Sequence, residues 1–380
     1  MKLPLKKLAI LLIIFIVSIL FFASSFGRAA YKSLLLTSLV IEQFVIKPPA
    51  FLHSKVSVDE INVENSGKTF KARIFRPEES GQFPTMILSI GVTPRGIEDE
   101  FLARFATSLA KIGFVAVVPE VFEGNFTEEE DINQLVSTVK VVRDLNYVDK
   151  EKLGFVGFCV GGSFSMIAAS DDEISQDVSY LVLLSPYFDN INLIESVVTK
   201  KTVIDSREID WEPASLTYDV LVGGYTRYIE TFHSRDDAKI IREAFEKNRP
   251  LTDEEVGSLS EGSRVMYNTL SAKSHEEFED LINIYPQAER QALENTSPKN
   301  FVDNLDKSAK FFALSDKQDT FVPRSETLAF RKAFPKGKFV EIDSFEHVRP
   351  STRLERLSAI TQIARVFSFI HGILWETYKN

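Results

Sequence analysis

The only cysteine of the chain, Cys159, stands in the run Gly157-Phe158-Cys159-Val160-Gly161-Gly162. Before it, KLGFVGFC (152–159) reads as a buried strand; after it, VGGSFSMIAAS reads as a helix. A nucleophile at such a sharp strand-to-helix turn takes a strained backbone conformation, and small residues two before and two after it prevent clashes. A thiol at the first turn of a helix feels the helix N-terminus, which favours the thiolate. The N–H of Val160 would then point at the reacting oxygen, as one half of an oxyanion hole. The plainer reading is a buried structural thiol, since cysteine is among the most buried residue types. Two flanking glycines, an apolar strand before and a helix after favour the nucleophile. A dinucleotide-binding loop would need another glycine spacing and an acidic residue after the next strand, which the sequence lacks.

A thiol nucleophile needs a base. Of the five histidines, His53 lies in a linker, His233 and His275 in a long helical stretch, and His371 within the C-terminal helix. Only His347, in SFEHVRPS, follows a late strand in a loop, where it can reach the carboxyl edge of a sheet. A carboxylate after the preceding strand would fix its tautomer and stabilise its charged form. The segment SDKQDTFVP offers Asp316 and Asp319. Asp319 is preferred, because Asp-x-x-Val-Pro places it at the loop apex before a helix, whereas Asp316 can cap the strand end or the turn. The second oxyanion donor should come from the loop after the strand at 85–91, which makes the N–H of Val92 the candidate.

These residues need a sheet to hold them. VSVDEINV (56–63) and TFKARIFRP (69–77) alternate and turn at Asn65-Ser66-Gly67, as an antiparallel pair does. TMILSIG (85–91), FVAVVPE (114–120), 152–159, VSYLVLLSPY (178–187), AKFFALSD (309–316) and KFVEID (338–343) are short apolar runs separated by helical patterns. Strands alternating with helices imply a mostly parallel sheet covered on both faces. Between 188 and 300 the alternation stops, and amphipathic helical patterns predict a large, mostly helical cap insertion. The expected organisation is therefore a core at 51–187 and 301–380 with a cap at 188–300. Trp211, Tyr218, Tyr225, Tyr228 and Phe232 would line an apolar acyl or aryl site or form the cap's own small core. A C-terminal helix places Leu354, Leu357, Ile360, Ile363, Phe367, Ile370 and Leu374 on one face, toward the sheet. The acidic run Glu128 to Asp131 reads as a solvated helix start, and nothing in it suggests a metal site.

The order Cys159, Asp319, His347 and the motifs GFCVGG (157–162), DTFVP (319–323) and EHV (346–348), with PTMILSIG and KIGFVAVVPE upstream, resemble the dienelactone hydrolase family of α/β-hydrolases. The resemblance covers roughly residues 69–187 and 297–378. It implies an α/β-hydrolase fold and hydrolysis of an ester, thioester or lactone through an acyl-cysteine intermediate, with no metal or organic cofactor. The chain departs from the family in three places. The family's acidic residue beside the thiol has no counterpart in SIGVTP. Arg349 and Arg353 are only near the loop that would hold a dienelactone carboxylate. The insertion and the apolar N-terminus are foreign to small soluble members. Dienelactone itself is thus not the expected substrate.

The N-terminus points to a membrane. Lys2, Lys6 and Lys7 precede an uncharged run over 8–27, just long enough for a spanning helix. A cleaved signal peptide is the rival, with Ala23, Ser24 and Ser25 as a weak cleavage site. Residues 1–50 carry a net charge of +5 and the rest −15, and lysines before the span favour a cytoplasmic N-terminus and an extracytoplasmic body. A second apolar stretch, Leu34 to Ile46, should form a helix lying on the membrane or on the body. The net charge of −10 argues against nucleic acid as a partner. With one cysteine there is no intramolecular disulfide and no multi-cysteine zinc site. Three functions stay open on sequence: a membrane-anchored hydrolase, an acyltransferase on the same triad, and a non-catalytic binding module on the same scaffold.

Overall fold

The computed structural model describes residues 17, 20–21, 23–40, 48–91, 96–120, 129–305, 308–343, 345–346, 349–350 and 356–379. The body opens with a hairpin. Strands β1 (Val56–Asn65) and β2 (Lys68–Pro77) pair antiparallel from Val56↔Pro77 to Asn65↔Lys68. Ser66 and Gly67 make the turn with φ of 50° and 78°, the left-handed pair that a tight two-residue hairpin requires.

The chain then alternates: β3 (Phe83–Ser89), α2 (Glu100–Lys111), β4 (Val115–Pro119), α3 (Glu130–Val142), β5 (Val148–Phe158), α4 (Val160–Ala168) and β6 (Val178–Leu184). After a long detour come β9 (Lys310–Asp316), α12 (Arg324–Ala333), β10 (Lys338–Ile342) and α13 (Arg356–Tyr378). The eight-stranded sheet has the order β1-β2-β4-β3-β5-β6-β9-β10. Only β2 runs against its neighbours. This is the mostly parallel, helix-flanked sheet of an α/β-hydrolase, with β5 near its middle. Strands β3 and β4 are buried almost throughout, as strands covered on both faces must be.

Helices α3, α4 and α12 cover one face, through Leu135, Val139, Phe164, Ile167 and Phe330. The other face carries α2, α13 and the N-terminal helix α1 (Ser25–Val40), through Leu102, Leu109, Phe369, Ile373, Leu374, Leu35 and Leu36. Of the second apolar stretch expected over 34–46, residues 34–40 are described; they end α1, which packs on α13 and α2 of the body. Its Lys32 lies over the Tyr378 ring and donates to that hydroxyl at 2.7 Å, and burial brings the ammonium pKa down to about 8. The buried face of α13 is rotated from the expected one. Phe369, Ile373, Leu374 and Thr377 are buried, while Ile360 is 67% exposed. Phe369 meets Phe312 of the sheet, and α1 takes a second side of α13, through Phe26 on His371 and Trp375 and Lys32 on Tyr378. Among the described residues no helix is long and apolar enough to cross a membrane. The expected span, 8–27, lies largely outside the described residues.

Between β6 and β9 stand α5 (Asn190–Thr199), an exposed hairpin of β7 (Lys201–Ile204) and β8 (Arg207–Asp210), then α6 (Ser215–Phe232), α7 (Arg235–Glu246), α8 (Asp253–Ser258), α9 (Glu261–Leu270), α10 (His275–Asn283) and α11 (Gln287–Asn295). Their apolar faces meet in Leu221, Tyr225, Ile229, Ile241, Met266 and Phe278, which are continuous with the sheet's α3/α4 core. The insertion is therefore packed against the body rather than tethered beside it.

Candidate active site

In a parallel sheet all strands end at one edge, so residues just past β5, β6 and β9 are neighbours there. Adjacent strands lie about 4.8 Å apart, which puts the end of β9 about 10 Å from the end of β5. Backbone bonds knit this edge: Cys159 N donates to Leu184 O at 2.8 Å, and Ser185 N donates to Leu314 O at 2.8 Å.

Cys159 sits between β5 and α4 with φ 54° and ψ −128°. A side-chain-bearing residue held there stores about 1–3 kcal/mol of strain. The glycines explain how the turn closes. A Cβ on Gly157 would lie 2.4 Å from Gly162 Cα, and one on Gly161 would lie 2.4 Å from Ser89 O. Gly91 lies against the thiol: a Cβ there would meet Cys159 Cβ at 3.1 Å, Val160 N at 3.3 Å and Cys159 Sγ at 3.4 Å. The thiol is partly exposed. Because α4 begins at Val160, the first N–H groups of that helix have no intrahelical acceptor, and Val160 N–H is among them. Cys159 thus stands at a strained turn with a partly exposed thiol and the Val160 N–H next to it.

Asp319 lies in the β9–α12 loop and is buried. Its Oδ1 accepts from Phe321 N at 2.8 Å and Val322 N at 3.1 Å, which fixes the carboxylate within its own loop. Asp316 ends β9, and its Oδ1 accepts from Gln318 N at 2.8 Å, so it caps the turn. Strands β11 (Phe345–Glu346) and β12 (Arg349–Pro350) pair antiparallel, and β11 lies against β9. They flank His347, which, like Val92, falls outside the described residues. The structure thus brings Cys159, Val160 and Asp319 to one edge.

A recess opens beside the turn, lined by Gly91, Val160, Phe164, Glu120, Asp131 and Gln134. Gln134 Nε2 is buried there without an acceptor among the described residues. Asp131 is only 5% exposed, so the acidic run is not uniformly solvated as expected. It lies on the inner face of α3, while Glu130 turns outward to Lys68 at 2.7 Å.

Of the aromatic residues considered for a substrate site, Tyr225 is in the insertion's core and Phe232 is 64% exposed. Tyr218 packs edge-on against Phe245. Trp211 reaches the site from above: its Nε1 donates to Asp319 O at 2.8 Å. One group has no sequence signal. Glu326, in the first turn of α12, is 2% exposed and accepts from Phe188 N at 2.7 Å and Asp189 N at 2.8 Å. Burial raises its pKa to about 8, and neighbouring Asp189 adds to the rise. Its partners are the first residues of the insertion, more than 130 positions earlier.

A model of the dienelactone hydrolase family matches residues 70–203. That range holds β2 to β7 and Cys159, and leaves out Asp319 and His347. A probable 2-oxo-3-(5-oxofuran-2-ylidene)propanoate lactonase of Bradyrhizobium sp is 28% identical over 146 residues, 34% of this chain and 58% of that protein. The uncharacterized protein YcjY of Escherichia coli (strain K12) is 26% identical over 137 residues, 32% of this chain and 42% of that one. The chain thus spans about half the length of these curated relatives. Among solved structures it is similar to DcsB in complex with its substrate analogue, at a TM-score of 0.48 and 17% identity, over 83% of this chain and 99% of that one. Residues 70–203, which hold the strained cysteine and the strands on either side of it, are the part of the chain that is similar to the dienelactone hydrolase family.

Proposed function

We propose that this protein is a hydrolase of esters, thioesters or lactones that works through an acyl-cysteine intermediate. The observation that carries the reading is Cys159 at positive φ between β5 and α4, with Gly91 against its thiol. In the first half-reaction Sγ attacks the substrate carbonyl carbon while His347 takes the thiol proton. The carbonyl oxygen becomes an oxyanion facing the N–H groups of Val160 and Val92. As the tetrahedral species collapses, the C–O or C–S bond to the leaving group breaks. His347 returns its proton to the departing oxygen or sulfur, leaving a thioester on Cys159. Water then attacks that thioester with His347 as base, and the acid product leaves as the thiol is restored. Asp319 orients the imidazole and stabilises its charged form.

Among the described residues, the recess beside Gly91 has Glu120 and Asp131 in its lining and no arginine. Such a lining suits a neutral acyl group better than a carboxylate-bearing lactone. A panel of p-nitrophenyl esters, thioesters and simple lactones of several acyl lengths tests the reading. Turnover that Cys159→Ala abolishes without unfolding the protein supports it; equal turnover by the folded variant overturns it.

The localisation proposed is the cell membrane, through a single span over 8–27 with the body outside the cytoplasm. It rests on the three lysines before the uncharged run and on the absence of charge within it. Protease added to intact cells, with any outer membrane permeabilised first, should digest the body. Protection of the body despite proven access would reverse the topology.

A further inference from the structure

Several of the insertion's polar contacts to the body fall on one short segment, the loop and first turn that follow β9. Besides the Trp211 indole on Asp319 O, Ala214 N donates to Thr320 O at 2.7 Å, and Thr217 Oγ1 donates to the same oxygen at 3.4 Å. Thr202 Oγ1 and Ser325 Oγ share a hydrogen bond of 2.6 Å, and Glu326 holds the N–H groups of Phe188 and Asp189. Four insertion residues, with Phe188 and Asp189 at the insertion's entry, thus converge on residues 319–326.

Within this clasp Trp211 has a special place. It directly follows the β7–β8 hairpin, and its own N–H donates to Lys200 O at 2.8 Å, so its backbone is fixed. Its ring is half-buried against the core cluster. An indole has a single donor, and here that donor is committed to the carbonyl of the acid itself. The Asp319 carboxylate accepts from Phe321 N and Val322 N through Oδ1. The carbonyl of Asp319 is thus fixed from the insertion and its side chain from the body.

We propose that Trp211 is a positioning residue for Asp319, so that the insertion sets the aim of the triad's acid as well as covering the substrate. The proposal rests on the reading of Asp319 as that acid. Trp211→Phe keeps a ring and removes the donor. Loss of one hydrogen bond to a positioned group should lower kcat about fivefold, with KM changed little. A mis-aimed carboxylate stabilises the imidazolium less, so the acidic limb of the kcat/KM profile should move to lower pH. In an Asp319→Asn background the same substitution should add almost nothing.

Three results separate the possibilities. Asp319→Asn at wild-type turnover overturns the acid assignment and this proposal with it. A crippled Asp319→Asn beside a Trp211→Phe with unchanged kcat and unchanged limb overturns this proposal alone. A change confined to KM makes Trp211 a pocket wall and likewise overturns it. The wild-type protein gives a second readout that survives a variant that fails to fold. The chain has two tryptophans, so ¹⁵N-indole spectra are simple. A slowly exchanging Trp211 indole N–H is expected, and a freely exchanging one contradicts the bond.

Discussion

The two halves of the proposed catalytic machinery are built in different ways. The nucleophile turn is made by its own stretch of chain. Gly157, Gly161 and Gly162 close it, β5 leads in, α4 leads out, and the ends of the adjoining strands β3 and β6 abut it. The acid loop is made by others. Asp319 holds its own backbone, but Trp211, Ala214, Thr217 and Thr202 reach it from more than 100 residues away, and Glu326 just beyond it anchors the insertion's entry. The first half is a packing problem that tolerates no extra atom. The second is a polar network with several redundant bonds. The first should therefore fail sharply when touched, and the second by degrees.

Gly161→Ala tests the sharp side. Its new methyl would overlap the carbonyl of Ser89, which is backbone and cannot swing away. We expect a loss of about 1–3 kcal/mol in stability from overpacking. Turnover should fall about a hundredfold as Val160 N–H is pushed off line. Denaturant melts and kcat measured on the folded fraction check this. Near-normal turnover would mean that the turn can relax and that its strain has no part in the chemistry.

Glu326 tests the graded side. Glu326→Ala leaves two buried N–H groups without their acceptor and should cost about 2–4 kcal/mol, with a smaller loss of turnover than Gly161→Ala. Glu326→Gln keeps an acceptor and should be mild. The pH dependence follows from the raised pKa. The folded protein keeps this proton up to about pH 8, while the unfolded chain releases it near the ordinary carboxyl value of 4.5. Stability from this group is therefore full below about pH 4.5 and is lost as pH rises toward 8. Glu326→Gln should flatten that slope, and melting curves taken from pH 5 to 8 would show it. An unchanged slope would place the titration elsewhere.

The smallest effect is expected where α10 meets α5. His275 Nδ1 lies 2.5 Å from Glu195 Oε1, and that hydrogen bond raises the imidazole pKa above 6.5. The contribution is fully present below the ordinary histidine value and disappears as pH rises through the raised one. His275 is 48% exposed, so solvent screening keeps it below about 1 kcal/mol. His275→Gln should lower Tm slightly at pH 6 and not at pH 9, with turnover untouched. A large fall in turnover would show that this outer part of the insertion also reaches the site.

The same contrast explains what could be read in the sequence. Gly-x-Cys-x-Gly between an apolar strand and a helix is a local pattern with a local cause, so Cys159 and Val160 could be named. Asp319 could be preferred over Asp316 because its spacing to Val322 and Pro323 places it at the loop apex; each of the two accepts from backbone N–H groups of that loop. The succession of strands and helices followed from alternating apolar runs. Trp211 was legible only as an aromatic residue, and Glu326 as an acid in a helix's first turn. Their partners lie 108 and 138 residues away, and no local periodicity encodes such pairings. The packing of α1 on α13 was hidden for the same reason, since the two are distant in sequence.

The central claim is that Cys159 carries the acyl group. Mixing the protein with a slowly deacylated activated ester, quenching in acid and weighing the intact chain tests it directly. The account predicts a mass increase of one acyl group on the peptide containing Cys159, its loss on treatment with neutral hydroxylamine, and no adduct on Cys159→Ala. An acyl adduct on another residue, or turnover by Cys159→Ala equal to that of the parent, would contradict it.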